Sequence, residues 1–252
     1  NANGGIVLFS STETTGQTLK LANTTTFNKI SIQTSAGGFT AEGTESGKLI
    51  ANTLTLINTN ADAIFNVPIN ATTIEMKNTA ETAGAVTFNN DVTAVTIDNT
   101  TTDSSVINFD ITFNAATEVT NPVTFGTTGT LTLGNNTEDT FIFEGGITHT
   151  AGNTTLCGKI ITNSSPVVLS SDANIKTLTL TGNSTIQTTG AVGNETGAAI
   201  TLGAVSAVSS VSGEEKTLSL TGGTGNITVY GAVGSEDSII GDIIIESAGT
   251  VK

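Results

Sequence analysis

The side chains able to do chemistry are few and scattered. Three pairs of neighbouring acids occur, Glu138-Asp139, Glu214-Glu215 and Glu236-Asp237. Paired carboxylates are the equipment of glycoside hydrolysis, one acting as acid and the other as base or nucleophile. Each pair here falls in a turn-like segment, and neighbours on a strand point to opposite faces, so consecutive acids are poorly placed to share one scissile bond. They read as solvated turn charges. The other route to acidic polysaccharides, an Arg or Lys base beside bound calcium, finds no Arg in the chain.

His149 is the single imidazole and Cys157 the single thiol. A triad or metal site around His149 has only Cys157, eight residues on, and Glu144, five residues back, as local partners. Both separations span most of a strand-turn unit, so the expectation is an exposed or rim imidazole near a buried small thiol behind Leu156. Cys157 has no internal disulfide partner and could pair only between molecules. The segment Gly222 to Ile227, GGTGNI, approaches a calcium-binding GGxGxD turn but carries Ile227 where the ligand carboxylate belongs. No D-x-D-x-D-G loop is present. The residues therefore predict no catalytic, cofactor-binding or metal-binding site, no cofactor and no enzymatic activity.

What surrounds these residues excludes further classes. The 252 residues carry a formal charge of -14, and the eight basic ones are all Lys. Such a chain has no guanidinium fork and no positive field for nucleic acid. A positive mean hydropathy of +0.14 argues against disorder. The most apolar stretch, Ile239 to Ile245, is broken by Gly241 and Asp242, so no helix is expected to cross a bilayer. Asn1 to Gly5 shows no secretory leader pattern, whether absent or already removed. Acidic balance and scarce reactive side chains point to an extracellular or cell-surface location.

The elements that must carry these side chains are short strands. Leu178 and Leu180 alternate with Thr177, Thr179 and Thr181, and Ile227 and Val229 with Asn226, Thr228 and Tyr230. Gly and Asn clusters punctuate the strands. Only Ala71 to Thr82 could pass for a helical turn or two, and its β-branched start argues against that. The segments 176–200 and 216–240 are copies of one phrase about 40 residues apart, with weaker echoes at Thr18, Thr53 and Thr130.

These features predict an all-β chain with residues 1–252 as a single continuous right-handed parallel β-helix, a β-solenoid, with tandem β-sandwiches as the alternative. Absence of Trp and an aromatic content of 4% favour a narrow core of stacked small aliphatic side chains, with Asn and Thr ladders at successive turns. At about 20 residues per rung the long repeat becomes two rungs, and the chain about twelve, a rod near 60 Å. The end soon after the last repeat suggests a fragment or processed piece of a longer surface protein.

The stretch Leu218 to Val251, LSLTGGTGNITVYGAVGSEDSIIGDIIIESAGTV, resembles the repeats of large bacterial surface proteins of the filamentous-haemagglutinin and autotransporter-passenger type. Residues 176–200 resemble the same pattern, and 148–160 are similar to the strand repeats of autotransporter passengers. The resemblance covers roughly the last 110 residues in rhythm and partly in wording, and the first half only in composition and strand spacing; it implies a right-handed parallel β-helix outside the cell, as an adhesin or a structural stalk. Expected partners are a host or neighbouring-cell surface protein or glycan, or copies of the chain itself. A self-assembling subunit of a surface layer or filament is the alternative function. The Thr-x-Thr phrases at 53–55, 130–132 and 177–179 also raise ice binding, which needs such a phrase in nearly every rung; spaced several rungs apart, they speak against it.

Overall fold

The computed structural model describes the chain except for residues 1–4, 12–13, 35–36, 58–60, 78–83, 101–106, 191–195, 209–214 and 236–237. Its regular elements are strands, and no α-helix occurs among the described residues. Four short strands show why. Ala63–Phe65, Val86–Phe88, Ile111–Phe113 and Leu131–Leu133 each bury the two outer residues and turn the middle one outward. A β-branched or aromatic triplet with that alternation fits a pleated, half-buried surface and has too few residues for a helix. Residues 71–77, the one stretch with some helical character, lie within the strand Ile69–Lys77.

The strands pair in parallel from one coil to the next, and the coils stack as a β-solenoid of about nine turns. Each full coil has three faces. The first is built from Gln17–Leu21, Phe39–Gly43, Ala63–Phe65, Val86–Phe88, Ile111–Phe113, Leu131–Leu133, residues 154–156, residues 177–180 and Ala204–Ala207. The second runs from 24–27 through 48–51, 69–71 and 92–94 to Thr117–Val119, residues 140–143, 158–161 and 184–187, Lys216–Thr221 and Ile240–Ser247. The third begins at Ile6–Ser11 and ends at Ile227–Val229.

The coil is longer and less regular than the repeated phrase suggests. Phe141 pairs with Ile160 across a short coil and Ser184 with Leu218 across a much longer one, because corners accept insertions while the faces keep register. Nine turns at roughly 4.8 Å each give a stack of about 43 Å rather than twelve rungs and 60 Å. The long repeat is also not two rungs. Its first copy sets residues 177–180 on the first face, while the matching Lys216–Thr221 of the second copy lies on the second face. The phrase has moved on by one coil and one face, which alternation permits because a Leu-Thr-Leu unit fits any of the three walls.

The interior departs from the expected purely aliphatic filling. In one inward column Phe65, Phe88 and Phe113 stand in register and give way to Leu133, Leu156 and Leu180. The rings of Phe65, Phe88 and Phe113 stack at centroid distances of 5.0 Å with interplanar angles of 14° and 9°. Phe9 and Phe39 extend the series on one side, Phe125 and Phe143 on the other. A few rings suffice, because Phe65, Phe88 and Phe113 find their stacking partners in the coils above and below. Beyond Phe143 the sequence has no Phe, and Leu, Ile and Val fill the core.

Polar side chains stitch the corners. Asn89 donates to Asn66 and Asn114 to Asn89, both at 2.7 Å, forming the expected Asn ladder. Asp62 and Asp110 each accept a backbone N–H from the next coil, at Ala85 and Thr130, and Asn153 does the same for Thr177. Truncating the centre of the stacked rings tests the packing. Phe88→Ala should cost about 3–5 kcal/mol in chemical denaturation while Phe88→Leu costs clearly less, because Leu already continues the same column.

Candidate functional site

The one fully described acid pair, Glu138-Asp139, takes separate roles on folding. Asp139 closes the turn after Leu131–Leu133, its Oδ2 accepting the N–H groups of Asn135 and Asn136 at 3.1 and 3.0 Å. Its carbonyl accepts the Lys159 N–H of the next coil. Two neighbouring glycines permit this: Gly134 and Gly158 have φ of 86° and 114°, and a Cβ on either would overlap a carbonyl of the adjoining coil. Glu138 points to solvent. Within this pair one acid holds a turn and the other is a surface charge, so they do not cooperate on one bond. Glu215 is exposed, while Glu214, Glu236 and Asp237 lie outside the described residues.

His149 differs from the rim imidazole expected of it: it is fully buried, at 0% exposure. It follows the strand Ile147–Thr148 at the corner between the third and first faces, where the chain turns inward. The Thr127 carbonyl can only accept, so Nε2 carries the proton and donates to it at 3.1 Å. Nδ1 then accepts the Thr154 hydroxyl at 3.0 Å. Burial holds the imidazole below its usual pKa; the Thr127 bond opposes this and the positive charge of Lys176 adds to it. With both nitrogens engaged, the ring has no free edge for a substrate or a metal.

Cys157 is buried, as expected, in an irregularity of the strand Thr154–Ile161 where the chain passes from the first face to the second. Burial pushes its thiol up, the Asp139 carboxylate adds to this, and Thr181 and Lys216 oppose it. His149 and Cys157 thus occupy different corners, and Glu144 is exposed on the outside. Ile227, at the failed calcium turn, is an inward core residue with no exposure. Among the described residues no group of three His, Cys, Asp or Glu is gathered to hold a metal ion.

The arrangement the linear reading missed lies on the first face. Its outward positions align across successive coils as Thr18, Thr40, Ile64, Thr87, Thr112, Thr132, Thr155, Thr179 and Ser206. These nine positions, one per coil at about 4.8 Å, hold a Thr or Ser at all but Ile64. Beside them runs the Asn66, Asn89 and Asn114 ladder. A search for Thr-x-Thr phrases passes over the rank because one central Thr per triplet suffices; the signal was the recurrence of VTF, ITF and LTL at about one coil's spacing. The phrases at 130–132 and 177–179 belong to this same face, whereas 53–55 sits on the third. The third face has a shorter rank, Thr124, Thr148, Val168, Thr201 and Thr228.

Ion pairs are few among the described residues. Lys20 meets Glu42 at 3.2 Å and Lys77 meets Asp98 at 3.3 Å, contacts worth little to stability when exposed. Partial burial alone would raise the Asp98 carboxyl, but the Thr100 hydroxyl and amide together with Lys77 hold it below its usual value. No described helix is long and apolar enough to cross a membrane. No family model matches the chain, and no curated protein or solved structure matches it either.

The two acids of the first pair should behave differently on substitution. Asp139→Ala, which orphans two turn N–H groups, should lower stability by about 1–2 kcal/mol, whereas Glu138→Gln should leave the denaturation midpoint unchanged. Equal effects at both positions would contradict the assigned roles.

Proposed function

We propose that this chain is a non-enzymatic segment of a cell-surface or secreted stalk that makes contact through the first face of its coil. The observation that carries the reading is the rank of eight hydroxyls in nine aligned positions. No single Thr binds anything well, but groups repeated at a fixed spacing on a stiff support convert weak contacts into avidity. The stiffness comes from the paired coils, and a charge of -14 keeps such rods soluble and mutually repelling. The resemblance of residues 176–200 and 218–251 to adhesin repeats supports placing the rod outside the cell, against a host or neighbouring-cell surface protein or glycan.

Beads coated with the protein and settled on cultured animal cells or on a bacterial lawn test this. Replacing Thr112, Thr132 and Thr155 together by Asp should reduce bead retention by about tenfold or more, in keeping with lost avidity. The same change at Thr124, Thr148 and Thr201 on the third face should matter less than twofold. Equal retention of wild-type and first-face variant beads would remove the reading.

The same rank favours a second reading, ice binding. A row of Thr at one-coil spacing lies close to the oxygen repeat along the a-axis of hexagonal ice, and the first face presents no outward aromatic ring for stacking on sugars. Inhibition of ice recrystallisation by the wild type, lost in the Thr112, Thr132 and Thr155 variant, is the outcome expected of it. Ordinary crystal growth in the presence of the folded wild type would discard it.

A further inference from the structure

His149 sits where the core changes character. On one side lies the series of Phe rings, which ends at Phe125 and Phe143; on the other lie coils whose core has no aromatic ring and is mainly Leu, Ile and Val. The imidazole edge meets Phe125 at 6.4 Å and 84°, closing the aromatic series. The residue ties three consecutive coils together. Its Nε2 holds the Thr127 carbonyl of the coil before, its Nδ1 holds Thr154 ahead of it, and its backbone N–H donates to Val168 of the coil after, at 2.8 Å. In the neutral imidazole Nε2–H donates to the Thr127 carbonyl and Nδ1 accepts from the Thr154 hydroxyl.

We propose that the coil centred on His149 is an acid-labile joint, the place where the solenoid opens first as pH falls, separating the Phe-filled coils from the aliphatic ones. A second proton would have to go on Nδ1, where it would turn the Thr154 hydroxyl from donor to acceptor and leave a cation sealed in the core, His149 being 0% exposed. The groups that meet the ring, Phe125, Thr127 and Thr154, carry no charge to compensate it. Lys176, at the start of the strand leading to the next coil of the first face, is the charged group whose field reaches the ring, and it opposes protonation.

The direction follows from linkage. In an opened coil the imidazole takes up a proton at its ordinary value of 6.5, and in the closed coil only at lower pH. The joint is therefore fully closed above that value and loses stability as pH falls below it toward the depressed value of the closed state. At pH 5 the open population can rise by up to about thirtyfold, the ratio set by proton uptake in the opened coil.

Hydrogen exchange read by mass spectrometry at pH 7.5 and pH 5, corrected for intrinsic rates, tests the joint. Amides in 123–134 and 146–156 should exchange up to about thirtyfold faster at the lower pH, while those of Lys48–Ile57 and Ile69–Lys77 keep their protection. His149→Gln should remove the difference. Because His149 is the chain's only histidine, its ring resonances can also be followed by NMR in the unmodified protein, whatever the variant's stability. Acid-induced exchange confined to the named coils and accompanied by ring titration supports the proposal. Uniform exchange along the rod, no change, a pH effect that persists in His149→Gln, or a ring titrating near 6.5 in fully protected protein would each overturn it.

Discussion

The structure depends on one constraint, that a single coil can satisfy neither its backbone nor its core. Each strand, whether as short as Ala63–Phe65 or as long as Thr24–Thr34, exposes a row of N–H and C=O groups on each edge, and each inward Phe or Leu has its flat sides bare. Only another coil in the same register covers both at once. Parallel pairing and like-on-like stacking are therefore one event, and the inward column from Phe65 to Leu180 is its clearest product. Insertions at corners do not disturb this, since corners lie outside both the ladder and the column.

The outer surface inherits its order from the same event. Stacking that aligns Phe88 on Phe113 must also align Thr87 on Thr112, because the two positions alternate on one strand. The hydroxyl rank is thus a consequence of core register. Side chains with stronger chemistry are kept apart or put to structural use: Asp139 caps a turn, Asn99 accepts the N–H groups of Gly126 and Thr127, and His149 clamps three coils. On the proposed function, the aligned hydroxyls act through repeated weak contact along the stack.

His149 shows how a polar group can be placed inside such a core without loss. Its ring is satisfied by one carbonyl and one hydroxyl and rests edge-on against Phe125. Burial favours the neutral imidazole, which on the proposal above links the stack to proton concentration at one layer.

Much of the architecture was legible in the linear chain. Alternation in segments such as Thr177 to Thr181, frequent Gly and Asn turns and the near-copies at 176–200 and 216–240 determined strands, coils and Asn ladders, because period-2 burial is a local property. The coil length was not legible: the long repeat spans one coil and one face, and only the pairing of Ser184 with Leu218 reveals it. The Phe series escaped notice because 4% aromatic content looks negligible until rings from successive coils are brought into line. The Thr rank escaped for the same reason, as its members lie about one coil apart in sequence. Burial of His149 was decided by the tertiary structure too, since its partners Thr127 and Phe125 come from the preceding coil. Local alternation is written in neighbouring residues, whereas alignment between coils exists only once corners of unequal length have returned each face to the same register.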